Sequence, residues 1–218
     1  MKRYEIINSL AKINQADTYL EVGVEAGHTF SKIAITNKTA VDPIFRFDFK
    51  SMDGSFHQTT SDEFLLEAVS KNAKFDFIFL DGLHHWEFAL RDFINATLLS
   101  HKKTIIIIDD VLPSDYFSQL RSQSDCVKFK KIYNIKDENW MGDVYKIIPM
   151  INLLFSQWSY FTLKLNHGQT VLFQMPRNPP LLLNPSLMFD FEDILYEKIP
   201  YNFCSYEDLE FHLTSVLS

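Results

Sequence analysis

Residues 77–93 read FIFLDGLHHWEFALRDF, and this order decides the architecture. An unbroken apolar run ends abruptly in Asp81-Gly82. Two histidines and a tryptophan follow, and the chain then takes a helical rhythm. Leu90, Phe93, Ile94 and Thr97 fall on one side, and Glu87 stands four residues before Arg91. A strand without polar alternation is buried on both faces, the habit of a parallel sheet covered by helices. Residues 104–111, TIIIIDDV, repeat the device: a buried strand that ends in Asp109 and Asp110.

Working outward, the pattern of strand and helix continues. Ile6, Ile7, Leu10 and Ile13 lie at helical spacing, so the first 16 residues are expected to form a helix packed on the main body. Residues 18–22 (TYLEV) read as a strand running into GVEAG, with a helix expected over 28–36. A second strand, 39–41, ends in Asp42-Pro43, and the proline keeps Asp42 out of helical geometry. Residues 44–59 are read as a loop and a third strand. Thr60-Ser61-Asp62-Glu63 has capping-box spacing before the apolar LLEAV. A helix is expected over 85–100.

Past the acids, 142–155 reads as a helix with Pro149 as a kink or break. Strands at 160–165 and 169–174 flank Asn166-His167-Gly168, a hairpin signal. Residues 176–185 are proline-rich and read as a linker, and the remainder as one or two helices of a C-terminal appendage. Strands alternating with helices predict an α/β fold of doubly wound, Rossmann-like type. Its sheet is mostly parallel, with right-handed crossovers and an antiparallel last strand. The expected division is a main domain over 1–175 and an appendage over 176–218.

Composition narrows the partners. The chain has 218 residues, 46% hydrophobic, enough for a sizeable core. A net charge of −7 argues against nucleic acid, which calls for a basic face, and Lys128–Lys131 (KFKK) reads as a solvated edge. Cys126 and Cys204 show no metal spacing and fit free thiols in a reducing compartment. The N-terminus lacks the apolar region of a signal peptide, and no run approaches the ~18 apolar residues of a membrane span. A soluble cytoplasmic protein is the expectation.

Two constellations carry chemistry. In YLEVGVEAGHTF, Glu21, Gly23 and Gly27 stand at the end of the first strand, where glycines let the backbone turn tightly against a ligand. Asp42 ends the next strand, placed to accept hydrogen bonds from a ribose diol. Together they point to a nucleoside-containing cofactor. A bulky acid, Glu25, occupies the middle of the glycine motif and argues against a pyrophosphate and so against NAD. The second constellation is acidic: Asp81, Asp109 and Asp110 end neighbouring strands, and crowded carboxylates either keep a proton or hold a cation, most simply magnesium. His84, three residues after Asp81, is placed to act as a general base. His85 reads as an exposed first-turn residue, and Trp86 as either core or a substrate wall.

With these motifs the chain resembles the class I S-adenosylmethionine-dependent methyltransferases. It is most similar to their metal-dependent O-methyltransferase branch, which includes catechol and macrolide-sugar O-methyltransferases. The resemblance covers roughly residues 18–174. It implies a seven-stranded sheet, with Glu21, Gly23, Gly27, Thr29, Asp42, Ser61, Asp62 and Asp81 toward S-adenosyl-L-methionine. It further implies Asp81, Asp109 and Asp110 as metal ligands, His84 as base and Asp81 as its catalytic neighbour. WMGDVYK, 140–146, resembles a Gly-Asp-Val-Trp-Lys motif of bacterial members near sugar and polysaccharide synthesis, which leaves Asp143 either to hold substrate or to cap its helix. The expected activity is methyl transfer to a small-molecule hydroxyl, sugar-like, by a protein able to form a homodimer and needing neither nucleic acid nor membrane. The rivals are a nicotinamide-dependent oxidoreductase, a metal-dependent phosphohydrolase and a non-catalytic binding module.

Overall fold

The computed structural model describes residues 1–178 and 189–217. Seven strands form one sheet in the order β3-β2-β1-β4-β5-β7-β6. They are β1 (Thr18–Val22), β2 (Asn37–Val41), β3 (Ser55–His57), β4 (Phe77–Leu80), β5 (Ile105–Ile108), β6 (Trp158–Leu163) and β7 (Gln169–Gln174). The first five pair in parallel, and β7 runs antiparallel to both β5 and β6. The doubly wound sheet and its antiparallel last strand are therefore as the sequence predicts. The strand order reverses between β1 and β4, so a crevice opens at their C-terminal ends, where folds of this kind bind ligands.

Two apolar layers cover the sheet. One face carries α2 (Ser61–Ser70), α3 (Trp86–Leu98) and α5 (Ile147–Leu154), packed on Leu20, Ile78, Ile106 and Leu172. The opposite face carries α1 (Arg3–Ile13) and α7 (Tyr206–Leu217), whose Ile6, Ile7, Leu10, Leu209 and Leu213 are fully buried against Tyr19, Phe77, Phe79 and Ile107. Each such side chain contributes about 1.5–3 kcal/mol by leaving water. The C-terminal helix α7 thus shares a core layer with the N-terminal helix. A short α6 (Phe191–Leu195) precedes it, and residues 179–188, where most of the expected linker falls, lie outside the described residues. Among the described residues no helix is long and apolar enough to cross a membrane.

Three local departures from the sequence reading have physical causes. The helix expected over 28–36 is a single 3-10 turn, Phe30–Lys32, after which Ile33 is already extended. The β-branched Ile33, Ile35 and Thr36 favour that geometry, and α1 and α7 cover the face a helix would have filled. A helix the periodicity did not reveal, α4 (Gln123–Ile132), is capped by Ser122, whose hydroxyl accepts from the Asp125 N–H at 3.2 Å. It takes in the KFKK run, and Lys130 is buried, not solvated: its ammonium pairs with Asp115 and Asp137, each at 3.1 Å. Finally, the helix expected over 142–155 begins as a 3-10 turn, Val144–Lys146. Pro149 then sits in the first turn of α5, where its missing N–H leaves no hydrogen bond unmade.

Candidate active site

The crevice at the C-terminal ends of β1, β2 and β4 is a cleft of about 800 Å³. It brings together Glu21, Gly23, Thr29, Asp42, Ser61, Asp62, Asp81, His84 and Asp110. Two residues expected there do not line it: Gly27 and Asp109.

The glycines divide the work of the turn after β1. Gly23 has φ +84°, and a Cβ on it would lie 1.9 Å from the Asp81 carbonyl oxygen. Only glycine lets the β1 turn slide beneath the β4 turn. Gly27, at φ +72°, instead packs beneath the Phe47 ring, 3.0 Å from where its Cβ would be. Its role here is to shape the loop. Asp42 pins that loop from β2: one carboxylate oxygen accepts from the Val24 and Glu25 N–H groups at 2.9 and 2.8 Å, the other from Ile44 at 2.8 Å. Glu21 is buried and accepts the Tyr19 hydroxyl at 2.6 Å. Burial pushes its carboxyl up to about 8, against the Tyr19 hydrogen bond, so near neutrality it carries a proton. Ser61 opens α2 behind the predicted capping box, in which Thr60 accepts from the Glu63 N–H at 3.3 Å. Asp62 is paired with Arg91 at 2.7 Å.

At the other end of the cleft the imidazole of His84 faces two acids. Its Nε2 lies 3.4 Å from Asp81 Oδ1 and 3.4 Å from Asp110 Oδ2, while Nδ1 is 2.9 Å from the Trp140 carbonyl oxygen. That carbonyl can only accept, so Nδ1 carries the proton and Nε2 is the nitrogen turned to the acids. Burial pulls the imidazole down, but Asp81, Asp110 and the Trp140 carbonyl outweigh it and push it up to about 9. Burial raises the Asp81 carboxyl, against His84 and Arg3. The Trp140 indole stacks on the His84 ring with centroids 4.9 Å apart.

Asp81, His84 and Asp110 each offer a donor atom within 4.8 Å of the others. The three-aspartate set expected from the sequence is not the set that converges. Asp109 turns away to pair with Arg3 of α1, and its other oxygen is buried without a partner among the described residues. Neighbouring residues of an extended chain point to opposite sides, and Asp110 enters the cleft by adopting φ +58°. Burial and the neighbouring Asp110 and Asp81 drive the Asp109 carboxyl well above the usual carboxylate range, against the pull of Arg3.

Other residues settle into supporting places. Asp143 is buried outside the cleft: it accepts from the Trp86 N–H at 3.1 Å and from Arg121 at 2.9 Å. It thus caps α3, whose own preceding residue, His85, provides no side-chain cap. The His85 ring contacts the Arg121 carbonyl at 2.9 Å, and Trp86 does not line the cleft. Arg3, Trp140 and His167 are among the lining residues that have no sequence reading as site residues. His167 was legible only as part of a hairpin turn, and Arg3 makes its contacts more than a hundred positions along the chain, beyond any local pattern.

A seven-stranded sheet in this order, with its crevice at the β1–β4 switch, is the fold of class I S-adenosylmethionine-dependent methyltransferases. Solved structures of methyltransferases share that fold with the chain. An O-methyltransferase from Bacillus cereus in complex with S-adenosylhomocysteine superposes with TM-score 0.57 at 17% identity, over 79% of this chain and 80% of that one. A Podospora anserina methyltransferase bound to S-adenosylhomocysteine gives 0.53 at 14%, over 82% and 80%. The Streptomyces achromogenes O-methyltransferase of tomaymycin synthesis, in complex with S-adenosylmethionine, gives 0.50 at 13%, over 79% of each. No family model and no curated protein matches the chain. At such identities the likeness is one of fold.

Proposed function

We propose that the protein is an S-adenosylmethionine-dependent O-methyltransferase acting on a hydroxyl of a small, sugar-like molecule. The observation that carries this reading is that a single cleft holds both the Gly23 turn and the Asp81–His84–Asp110 group. Its volume is in the range that takes a nucleoside and a small acceptor together. S-adenosylmethionine would supply a sulfonium methyl, which passes to the acceptor oxygen as the carbon–sulfur bond breaks and S-adenosylhomocysteine leaves.

The chain's own residues account for the rest. Gly23 lets the β1 turn pack beneath the β4 turn, which forms the floor of the cofactor side, and Asp42, Ser61, Asp62 and Thr29 line the nucleoside side. His84 Nε2 takes the hydroxyl proton. In the unliganded rim the imidazole is charged near neutrality, because its pKa is held up to about 9. A sulfonium bound nearby is a second positive charge and favours the neutral ring that a base requires. The Trp140 carbonyl orients that ring through Nδ1–H, and Asp81 stabilises the imidazolium once the proton has moved to Nε2. Positioning oxygen, carbon and sulfur in line supplies much of the remaining rate.

The donor set also fits a divalent ion. Asp81 and Asp110 offer the hard oxygens that magnesium prefers, and such an ion would lower the pKa of the acceptor hydroxyl. His84 cannot both ligate an ion through Nε2 and accept a proton there, so we assign it as base and the two carboxylates as ion ligands. The sugar-like acceptor is supported by the cleft lining, which includes the Trp140 and Phe88 rings together with Gln123, Glu138 and Asn139. Flat apolar faces with hydrogen-bonding side chains suit a polyol ring.

Calorimetry with S-adenosylhomocysteine tests the reading, and a chain that binds neither it nor S-adenosylmethionine is not a methyltransferase. His84→Ala is expected to abolish turnover while leaving S-adenosylhomocysteine affinity within about threefold. Wild-type turnover by this variant would remove His84 from the base position.

A further inference from the structure

We propose that Arg3 is a resident counter-cation of the acid rim: it withholds Asp109 from any ion and keeps the divalent-ion affinity of Asp81 and Asp110 low. The proposal takes the rim as the reacting end of the cleft and so rests on the reading above. Its observations are nonetheless separate ones.

Arg3 lies in the first turn of α1 and lines the cleft. The helix behind it is held by Ile6, Ile7 and Leu10, all fully buried, so the guanidinium is delivered from a fixed backbone. Its Nε pairs with Asp109, and its Nη2 reaches Asp110 Oδ1 at 3.2 Å and the Asn166 carbonyl at 3.5 Å. His167 Nδ1 stands on that same Asp110 oxygen at 3.3 Å. Asp110 is therefore divided: Oδ1 faces Arg3 and His167, and Oδ2 faces His84. Asp109 is committed further still. Its side chain is 0% exposed, one oxygen is held by Arg3, and the other has no partner among the described residues.

An exposed ion pair contributes little and separates readily. A buried one separates only by leaving a buried polar or charged group unpaired. Asp109 thus stays with Arg3 and is lost to the ligand set, while the guanidinium remains beside whatever ion Asp81 and Asp110 would hold. Unit charges a few ångströms apart at an effective dielectric of about 20 shift a binding constant by roughly tenfold or more.

Manganese(II) is the probe, its free concentration followed by electron paramagnetic resonance in titrations of the full chain. Arg3→Met keeps much of the apolar stem, and Arg3→Gln keeps a neutral donor. Both are expected to bind manganese at least about tenfold tighter than the native chain, by the same charge argument. Arg3→Lys retains the charge and is expected within about threefold of it. Equal or weaker manganese binding by both neutral variants overturns the proposal, as does equal tightening by the lysine variant. S-adenosylhomocysteine calorimetry on the same samples separates the two failures. Loss of nucleoside binding with the manganese order intact sinks methyl transfer and leaves Arg3 in place, and the reverse result sinks only the role of Arg3.

Discussion

Replacing Gly142 by alanine puts the support of His84 to the test. Residues 140–143 form a cradle under residues 84–86. The Trp140 carbonyl accepts from His84 Nδ1 at 2.9 Å, and Asp143 accepts from the Trp86 N–H at 3.1 Å. Gly142 sits between them at φ +57°, where an added Cβ would stand 1.8 Å from the His84 carbonyl oxygen. The clash is with backbone, so no rotamer change relieves it. Gly142 is itself tied down, since its N–H and that of Met141 both donate to the Ser118 carbonyl at 3.0 Å. The left-handed conformation costs a side chain about 1–2 kcal/mol, and forcing neighbouring backbone aside adds about 1–3 kcal/mol. For a domain of this size each kcal/mol lowers the melting temperature by about 2–4 °C, so Gly142→Ala is expected to melt roughly 5–15 °C below the native chain. A shift of His84 by about 1 Å would also reduce turnover on the order of a hundredfold. Scanning calorimetry reads the first quantity and single-turnover kinetics the second, with S-adenosylhomocysteine affinity as the control for the distant Gly23 turn. A variant that melts within about 2 °C of the native chain and turns over at the native rate would refute the cradle.

Two further substitutions report on pH. Asp92 is buried in α3, and burial pushes its carboxyl up to about 7, against a hydrogen bond from Ser61. A carboxyl raised in the folded state holds protons the unfolded chain has released, so stability falls as pH rises from about 4 to 7. Asp92→Asn, which cannot ionise, is therefore expected to melt above the native chain at pH 8 and to lose most of that advantage by pH 4.5. A variant equally destabilised at both pH values would contradict the assignment. Asp76 shifts the opposite way. Burial raises it, but the Thr18 hydroxyl, the Thr18 and Asp17 N–H groups and His101 together hold it below its ordinary value. Its contribution is present above the unfolded value near 4 and is lost as pH falls through the folded one. Asp76→Ala is expected to cost about 1–3 kcal/mol at pH 7, measured by urea unfolding, with the gap to the native chain narrowing in acid; a gap independent of pH would count against it.

Legibility followed the range of the forces involved. The buried strands were plain because Phe77–Leu80 and Ile105–Ile108 are unbroken apolar runs, and the Thr60–Glu63 box announced α2. These signals are local. Helix α4 escaped because much of what steadies it lies elsewhere: Lys130 is neutralised by Asp115 and Asp137, and Cys126 packs on the Asn139 carbonyl. The helix expected at residues 28–36 was lost for a similar reason, since the face it would have covered belongs to α1 and α7, whose ends of the chain meet only in the fold. In the cleft, Gly23, Asp42, Asp81 and His84 could be read because each sits at a strand end. Arg3 and His167 could not, because α1 and the β6–β7 hairpin carry them in from far along the chain.

The two adjacent aspartates show where a pattern reaches its limit. In register, Leu80 lies beside Ile108, so continuing the strands would set Asp81 beside Asp109 and send Asp110 to the other face. A divergence between the neighbours was thus foreseeable, and three converging acids were one too many. Which acid would join Asp81 was not foreseeable from alternation alone, because the strand does not continue. Asp110 takes a left-handed backbone, a conformation aspartate tolerates better than most side chains, and swings its carboxylate to His84. The displaced Asp109 is left buried, and an arginine must then reach it from another element, which α1 supplies. The turn at Asp110 and the salt bridge at Asp109 are therefore one structural decision. A substitution that disfavours the left-handed turn at 110 should also disturb the Arg3 contact, although the two residues lie 107 positions apart in the sequence.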